Sequence, residues 1–269
     1  MASKEVTSVA ISKGTSLIAV ALSEGAVVAA DALLYGVKDG VAVPTHKDFK
    51  KVFASDNIII ASAATMIYKR AGTFAFEYEF ENWISEFISL QTGAPDKNPT
   101  AIAEAICDKV RKTFKPIEAR IKAGDWSAQG PGERLVTYVV AGYAENFKHF
   151  RLFEIGVEIN AEGNGLAPVA PKRHHAEFPQ NLFFGEDEFI QRAMNGVRPM
   201  RNVWETRQAA CLDELNSNCG DIPKALRDAA ASIVGLIQVE AQFNPKRVGG
   251  TVNVGLIDRV ASKTYSITL

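Results

Sequence analysis

Cysteine is scarce in this sequence: Cys107, Cys211 and Cys219 are the only ones in 269 residues. An odd number with no close pair argues against a disulfide framework and fits a reducing cytoplasm, where buried thiols act as small apolar side chains. An excess of charge of either sign is also missing, since 30 basic and 31 acidic residues leave a net charge of −1. Those charges are interspersed, without the basic patch or stripe of a nucleic-acid or membrane-surface protein. No apolar run approaches the ~20 residues that cross a bilayer. The opening Met1 to Glu5 lacks the continuous apolar stretch of a secretory signal. Internal repeats, low-complexity tracts and long linkers are absent too. What remains is 47% apolar and 23% charged, the composition of a globular protein, read here as one cytoplasmic domain.

The pattern of what is present alternates between strands and helices. Residues 15–22 and 26–31 are short, apolar strands, joined at Ser23-Glu24-Gly25 by a turn of hairpin length. A polar loop leads to Lys51-Val-Phe-Ala54, a turn at Asp56-Asn57, and a second buried strand from Ile58 to Ala64. Residues 71–91 read as a long aromatic-rich helix. Asn98-Pro99-Thr100 opens another, which presents Ile102, Ile106, Val110 and Phe114 on one face. Strands return at Leu135–Tyr143 and His149–Ile159. A loop over 160–178, a strand at Asn181–Phe184 and a short helix at Asp187–Met194 come next. Residues 195–220 are ambiguous. A helix from Ile222 to Ala241 and strands at Gly250–Ile257 and 262–269 close the chain. Hairpin-paired strands with sequence-adjacent helices point to an α+β fold of helices layered on antiparallel sheets.

The chemistry is expected where the first strand begins. Thr15 follows Gly14, and a threonine hydroxyl needs a nearby base to act as a nucleophile. Cutting the chain between Gly14 and Thr15 creates an α-amine on the same residue. With a pKa near about 8 it is partly neutral at neutral pH and can take the hydroxyl proton. The first hairpin returns Asp31 to within a residue or two of Thr15 across the ladder. An Asp ending an apolar strand calls for a cation, and Lys51, opening the next strand, is the candidate. Read plainly, the same residues are a β-forming Thr, a strand terminator and an exposed strand-edge charge.

Gly14-Thr15, then Gly25-x-x-Val28-Ala29-Ala30-Asp31 and Lys51 before a short apolar strand, resemble the opening of proteasome β subunits. Val248-Gly249-Gly250 before the penultimate strand resembles that family's Gly-Gly strand, and the intervening order of elements agrees. The resemblance implies an N-terminal nucleophile hydrolase: a four-layer αββα sandwich, with residues 1–14 as a propeptide and 15–269 as the domain. Residues 160–178 and 195–220 would then be insertions. It also implies a self-processing threonine peptidase acting on peptide or protein substrates, in which Thr15, Asp31 and Lys51 are catalytic. No metal or other cofactor is implied. Identical subunits would form a ring, with a possible ATP-dependent unfoldase as partner. The match has gaps. Where active members carry Ser between two glycines, this chain has Gly185-Glu186-Asp187. Pro245 and Val248 replace the family's supporting Asp and Ser, leaving Glu186 or Asp187 as substitute carboxylates.

Other signals carry less. Arg173-His174-His175 with Glu177 reads as a solvated basic loop, not a metal site, since adjacent histidines lack ligand spacing. His46 and His149 have no Ser or Cys partner in sequence. Phe74, Phe76, Tyr78, Phe80 and Trp83 suit core packing or a subunit contact. Over 71–91, Phe74, Phe76, Phe80, Trp83, Ile84, Phe87 and Ile88 spread wider than a single core-facing stripe, which points to an interface in a ring. The rival readings are a non-catalytic ring or scaffold subunit that keeps residues 1–14, and a small-molecule amidohydrolase on the same fold.

Overall fold

A computed structural model of the chain describes residues 9–14, 16–38, 41–55, 57–70, 76–91, 98–123, 131–144, 149–174, 180–185, 187–261 and 263–269. The expectations for Thr15, Asp56, Phe74, His175, Glu177 and Glu186 fall outside the described residues. The chain opens with β1 (Val9–Gly14), β2 (Ser16–Ala21), β3 (Gly25–Asp31), β4 (Leu34–Lys38), β5 (Val41–His46), β6 (Val52–Ser55), β7 (Ile58–Arg70) and β8 (Phe76–Glu79). Helices α1 (Phe80–Gln91) and α2 (Pro99–Lys122) lead to β9 (Arg134–Ala144), β10 (His149–Glu158), β11 (Lys172–His174) and β12 (Gln180–Gly185). Helices α3 (Glu188–Met194), α4 (Arg198–Asn218) and α5 (Lys224–Phe243) precede β13 (Val252–Asp258) and β14 (Lys263–Thr268).

The strands form two antiparallel sheets. The larger runs β11-β10-β9-β7-β1-β4-β5, with β6 and β8 also paired to β7; the smaller runs β12-β2-β3-β13-β14. Side-chain alternation along each strand builds the layers. On β9, Val139 and Ala141 face Leu17, Ala19, Val28 and Ala30 of the smaller sheet. Their neighbours Tyr138 and Val140 face the other way, onto Ile84 and Phe87 of α1 and Ile106, Val110 and Phe114 of α2. Ile18, Val20, Val27 and Ala29 turn outward onto Leu226, Ile233 and Ile237 of α5. Each central strand is therefore buried on both faces, which is why β2 and β3 read as unbroken apolar runs. The α2 start is built as its sequence suggests: the Thr100 amide donates to Asn98 Oδ1 at 3.0 Å and Pro99 occupies the first turn. No helix among the described residues is long and apolar enough to cross a membrane.

Several expectations need correction. The helix expected over 71–91 begins only at Phe80, because the alternating Phe76-Glu-Tyr-Glu79 pairs with β7 as a strand. Once those residues leave the helix, Phe80, Trp83, Ile84 and Phe87 form one stripe, buried in the chain's own core. Of the wide apolar spread taken as a ring interface, Phe80, Trp83, Ile84 and Phe87 are thus not a free surface. The polar loop before Lys51 contains the β4–β5 hairpin, whose second strand is largely exposed. The loop over 160–178 contains β11, and the ambiguous 195–220 is mostly α4. This last helix lies on α5 where Gly235 leaves room. A Cβ there would sit 3.0 Å from Trp204 Cδ1 and 3.1 Å from the Gln208 amide nitrogen.

Residues 9–14, expected only as a removable segment, form β1 inside the larger sheet. It pairs with β7 on one side and, through Lys13 and Gly14, with Tyr35 and Leu34 of β4 on the other. β2 then starts at Ser16 in the smaller sheet. The chain crosses between the sheets at the junction expected to carry the nucleophile.

Candidate functional site

Thr15 itself lies outside the described residues, but both of its neighbours are placed. Gly14 ends β1 opposite Leu34 and Ala64. Ser16 begins β2 opposite Gly185 of β12. The β2–β3 register pairs Leu17 with Ala30, so Asp31 falls beside Ser16, as the hairpin argument requires. The Ser16 amide donates to Asp31 Oδ1 at 3.0 Å. Asp31 Oδ2 accepts from the amides of Leu33 and Gly249, each at 3.2 Å. A carboxylate that is 0% exposed is thereby supplied with backbone donors.

Lys51 supplies the countercharge. Its ammonium lies 3.0 Å from Asp31 Oδ1 and donates to the Leu33 carbonyl at 2.7 Å. Only 1% of Lys51 is exposed, so it is not a strand-edge charge. Burial lowers its pKa from the ordinary lysine value, opposed by the adjacent Asp31 carboxylate and its hydrogen bond. The neighbouring lysines are excluded by placement: Lys47 and Lys50 are exposed, and Lys50 Nζ sits 4.7 Å above the Phe53 ring.

The backbone around the pair is fixed by residues that sequence reasoning missed. Asn253, polar within the apolar strand β13, accepts the Lys51 amide proton on its Oδ1 at 3.0 Å. The Lys51 carbonyl accepts from the Ser62 amide at 3.1 Å. A buried Asn at such a position was the available signal, because it requires a partner. The Gly249-Gly250 motif also finds its reason here. Besides the Gly249 amide on Asp31, the Gly249 carbonyl accepts from the Leu33 amide at 2.9 Å. Gly250 has φ +73°, and a Cβ on it would lie 2.1 Å from the Lys47 carbonyl oxygen. Only glycine fits that approach.

Of the candidate supporting carboxylates, Glu186 lies outside the described residues, and Asp187 does not join this pair. Asp187 precedes α3 and accepts from Gln191 Nε2, one turn along, at 3.3 Å. Where the family resemblance implies a supporting Asp and Ser, Pro245 is exposed and Val248 is buried.

A cavity of about 380 Å³ is lined by Ala63, Arg134, Thr137, Glu154, His174, Phe183, Phe184 and Gly185, of which Gly185 lies opposite Ser16. His174 Nε2 is 3.0 Å from Glu154 Oε2, and Arg134 pairs with the other carboxylate oxygen. Burial opposes the Glu154 charge, but hydrogen bonds from His174 and Arg134 outweigh it and lower the carboxyl pKa. His174 is therefore engaged with a carboxylate on a neighbouring strand. No group of His, Cys, Asp or Glu among the described residues is arranged to hold a metal. Cys107 and Cys211 are free and buried, and burial pushes both thiols up to about 11.

Together, the site offers a desolvated ammonium and a saturated carboxylate, rigidly held one residue from a Gly-Thr junction. Such a pair fixes local charge without itself needing to exchange a proton. No family model matches the chain, and no curated protein matches it.

Proposed function

We propose that the chain is a self-processing threonine hydrolase of the N-terminal nucleophile type, acting on peptide amide bonds, and that its sandwich is that fold. The observation that carries this reading is the buried Asp31–Lys51 pair, tied to the Ser16 amide immediately after Thr15. In the first reaction the Thr15 hydroxyl oxygen attacks the Gly14 carbonyl carbon. The Gly14–Thr15 amide breaks, leaving an ester on that oxygen and a free α-amine that has gained the hydroxyl proton. Water then hydrolyses the ester, releasing residues 1–14 with a carboxylate on Gly14 and restoring the hydroxyl. In later turnovers the α-amine takes the hydroxyl proton and delivers it to the leaving amine. Lys51 uses its ammonium on Asp31 and the Leu33 carbonyl and keeps one N–H for the Thr15 oxygen.

The pairing of β1 adds a substrate class. Residues 9–14 fill the gap between β4 and β7 with Gly14 at the scissile position. Their release opens a strand-shaped slot that an extended peptide fills by main-chain hydrogen bonds. Assembly into a ring and service by an ATP-dependent unfoldase rest on the family resemblance alone.

A reactive β-lactone tests the reading. It should acylate Thr15, and peptide mapping should find the adduct on a fragment that begins at that residue and is missing from Thr15→Ala. The same β1 pairing favours one rival, a scaffold subunit that keeps residues 1–14 as a permanent sheet strand. No adduct, with Met1–Gly14 retained, would establish that rival.

A further inference from the structure

Glu240 is a carboxylate with 0% exposure on α5, and it is not part of the Asp31–Lys51 pair. A buried carboxylate persists only where donors surround it. Its Oε2 accepts from the amides of Phe189, at 2.9 Å, and Ile190, at 3.3 Å, and its Oε1 from Asn244 Nδ2 at 3.3 Å. Phe189 and Ile190 lie in the first turn of α3, where amides have no partner within their own helix. The residue that would ordinarily cap that turn, Asp187, makes no side-chain capping bond and accepts from Gln191 instead. The start of α3 is therefore capped from another helix.

The consequence reaches the candidate site. Gly185, with φ +87°, ends β12 opposite Ser16. Only Glu186 and Asp187 separate it from α3. That link is anchored at one end by the β12–β2 register, beside Thr15, and at the other by the Glu240 carboxylate. We propose that Glu240 is a positioning residue, which by fixing the start of α3 holds Gly185 of β12 against the Thr15 junction without touching substrate. The role rests on the threonine-hydrolase reading. It gives Gly185, paired with Ser16 beside Thr15, a fixed position next to the nucleophile.

The test uses the full chain with Glu240→Ala, Glu240→Asp and Glu240→Gln, assayed well below each melting temperature. The Phe189 ring stacks on Phe243 of α5 with centroids 5.4 Å apart, which keeps α3 docked in all three. Self-processing is followed by intact mass, turnover with a fluorogenic peptide amide, and Gly185 and the start of α3 by amide hydrogen exchange. E240A should slow processing and kcat by about tenfold to a hundredfold, the scale of a small misplacement of reacting groups, with KM little changed. It should also lose exchange protection at Phe189, Ile190 and Gly185. E240Q, whose carbonyl oxygen still accepts both amides, should restore rates and protection; E240D, with the carboxylate drawn back, should fall between. If E240A melts earlier yet processes and turns over at the wild-type rate, Glu240 only stabilises the fold and the proposal fails. Unchanged protection at Gly185 overturns it equally. A wild-type chain that neither processes nor turns over removes the hydrolase reading, while exchange at Gly185 still decides whether Glu240 holds it in place.

Discussion

Replacing Lys51 by Ala should damage both stability and chemistry, and the sizes follow from the geometry. The substitution leaves the Asp31 carboxylate fully buried, with backbone amides from Ser16, Leu33 and Gly249 but without the Lys51 ammonium. It also strips the Leu33 carbonyl of its 2.7 Å donor. Breaking a buried ion pair by removing one partner costs about 3–5 kcal/mol. The surviving amide donors place this case near the lower end, about 3 kcal/mol. A folded domain has about 5–15 kcal/mol in hand, so the variant should still fold. At about 2–4 °C per kcal/mol, its melting temperature should fall by about 6–12 °C. Lys51→Met fills similar space without the charge and separates packing from charge: it should recover only the packing part of the loss, keep the cost of the broken ion pair and stay inactive. Removing one preorganised donor from a developing oxyanion lowers turnover by about 100- to 1,000-fold, so both variants should lose at least that much peptide hydrolysis. Thermal melts and a fluorogenic peptide assay on the same preparations measure the two axes. A K51A protein with wild-type melting and wild-type turnover would refute the reasoning, because neither the pair nor the ammonium would then matter.

Asn253→Ala removes the acceptor of the buried Lys51 amide; it should destabilise by about 1–3 kcal/mol and slow processing in an intact-mass time course. Gly250→Ala should be worse than its size suggests. The left-handed backbone adds about 1–2 kcal/mol, and the new Cβ meets the Lys47 carbonyl at 2.1 Å. Melting and processing should both suffer, and a neutral outcome would mean that the Gly249–Gly250 segment does not hold Asp31. For pH, the lowered Lys51 pKa means the unfolded chain binds the proton more tightly than the folded one. The contribution of Lys51 to stability should therefore rise with pH between its folded value and about 10.4, and K51M should lose that rise in denaturation curves. Turnover by the processed enzyme should climb as the Thr15 amine deprotonates near about pH 8, and a flat profile there would argue against that base.

Local signals carried the sequence reading where the physics is local. Asp31 was legible because a hairpin of known length returns it to its start, and Lys51 because a buried carboxylate needs a cation. The α2 start was legible from Asn98 and Pro99, whose roles lie within one turn. The reading failed where partners are distant. Val9–Gly14 carries strand-like residues, but its place between β7 and β4 is set by pairings that the segment itself does not encode. Phe76–Glu79 joined the helix because Phe80 continues the apolar series, although the alternation belongs to a strand. The stripe of α4 through Met200, Val203, Trp204, Cys211 and Leu215 is interrupted at Arg207 and Gln208, which hid a helix that lies on α5. Asn253 and Glu240 were invisible for the same reason: each acts on backbone far away in sequence.

The central claim is that Thr15 becomes the amino terminus by its own chemistry. Intact mass of the purified chain, followed over days beside Thr15→Ala, measures it most directly. The account predicts that wild type loses residues 1–14 and begins at Thr15, while T15A keeps them throughout. Wild type that retains Met1–Gly14 as fully as T15A would contradict it and leave β1 a permanent strand of the sheet.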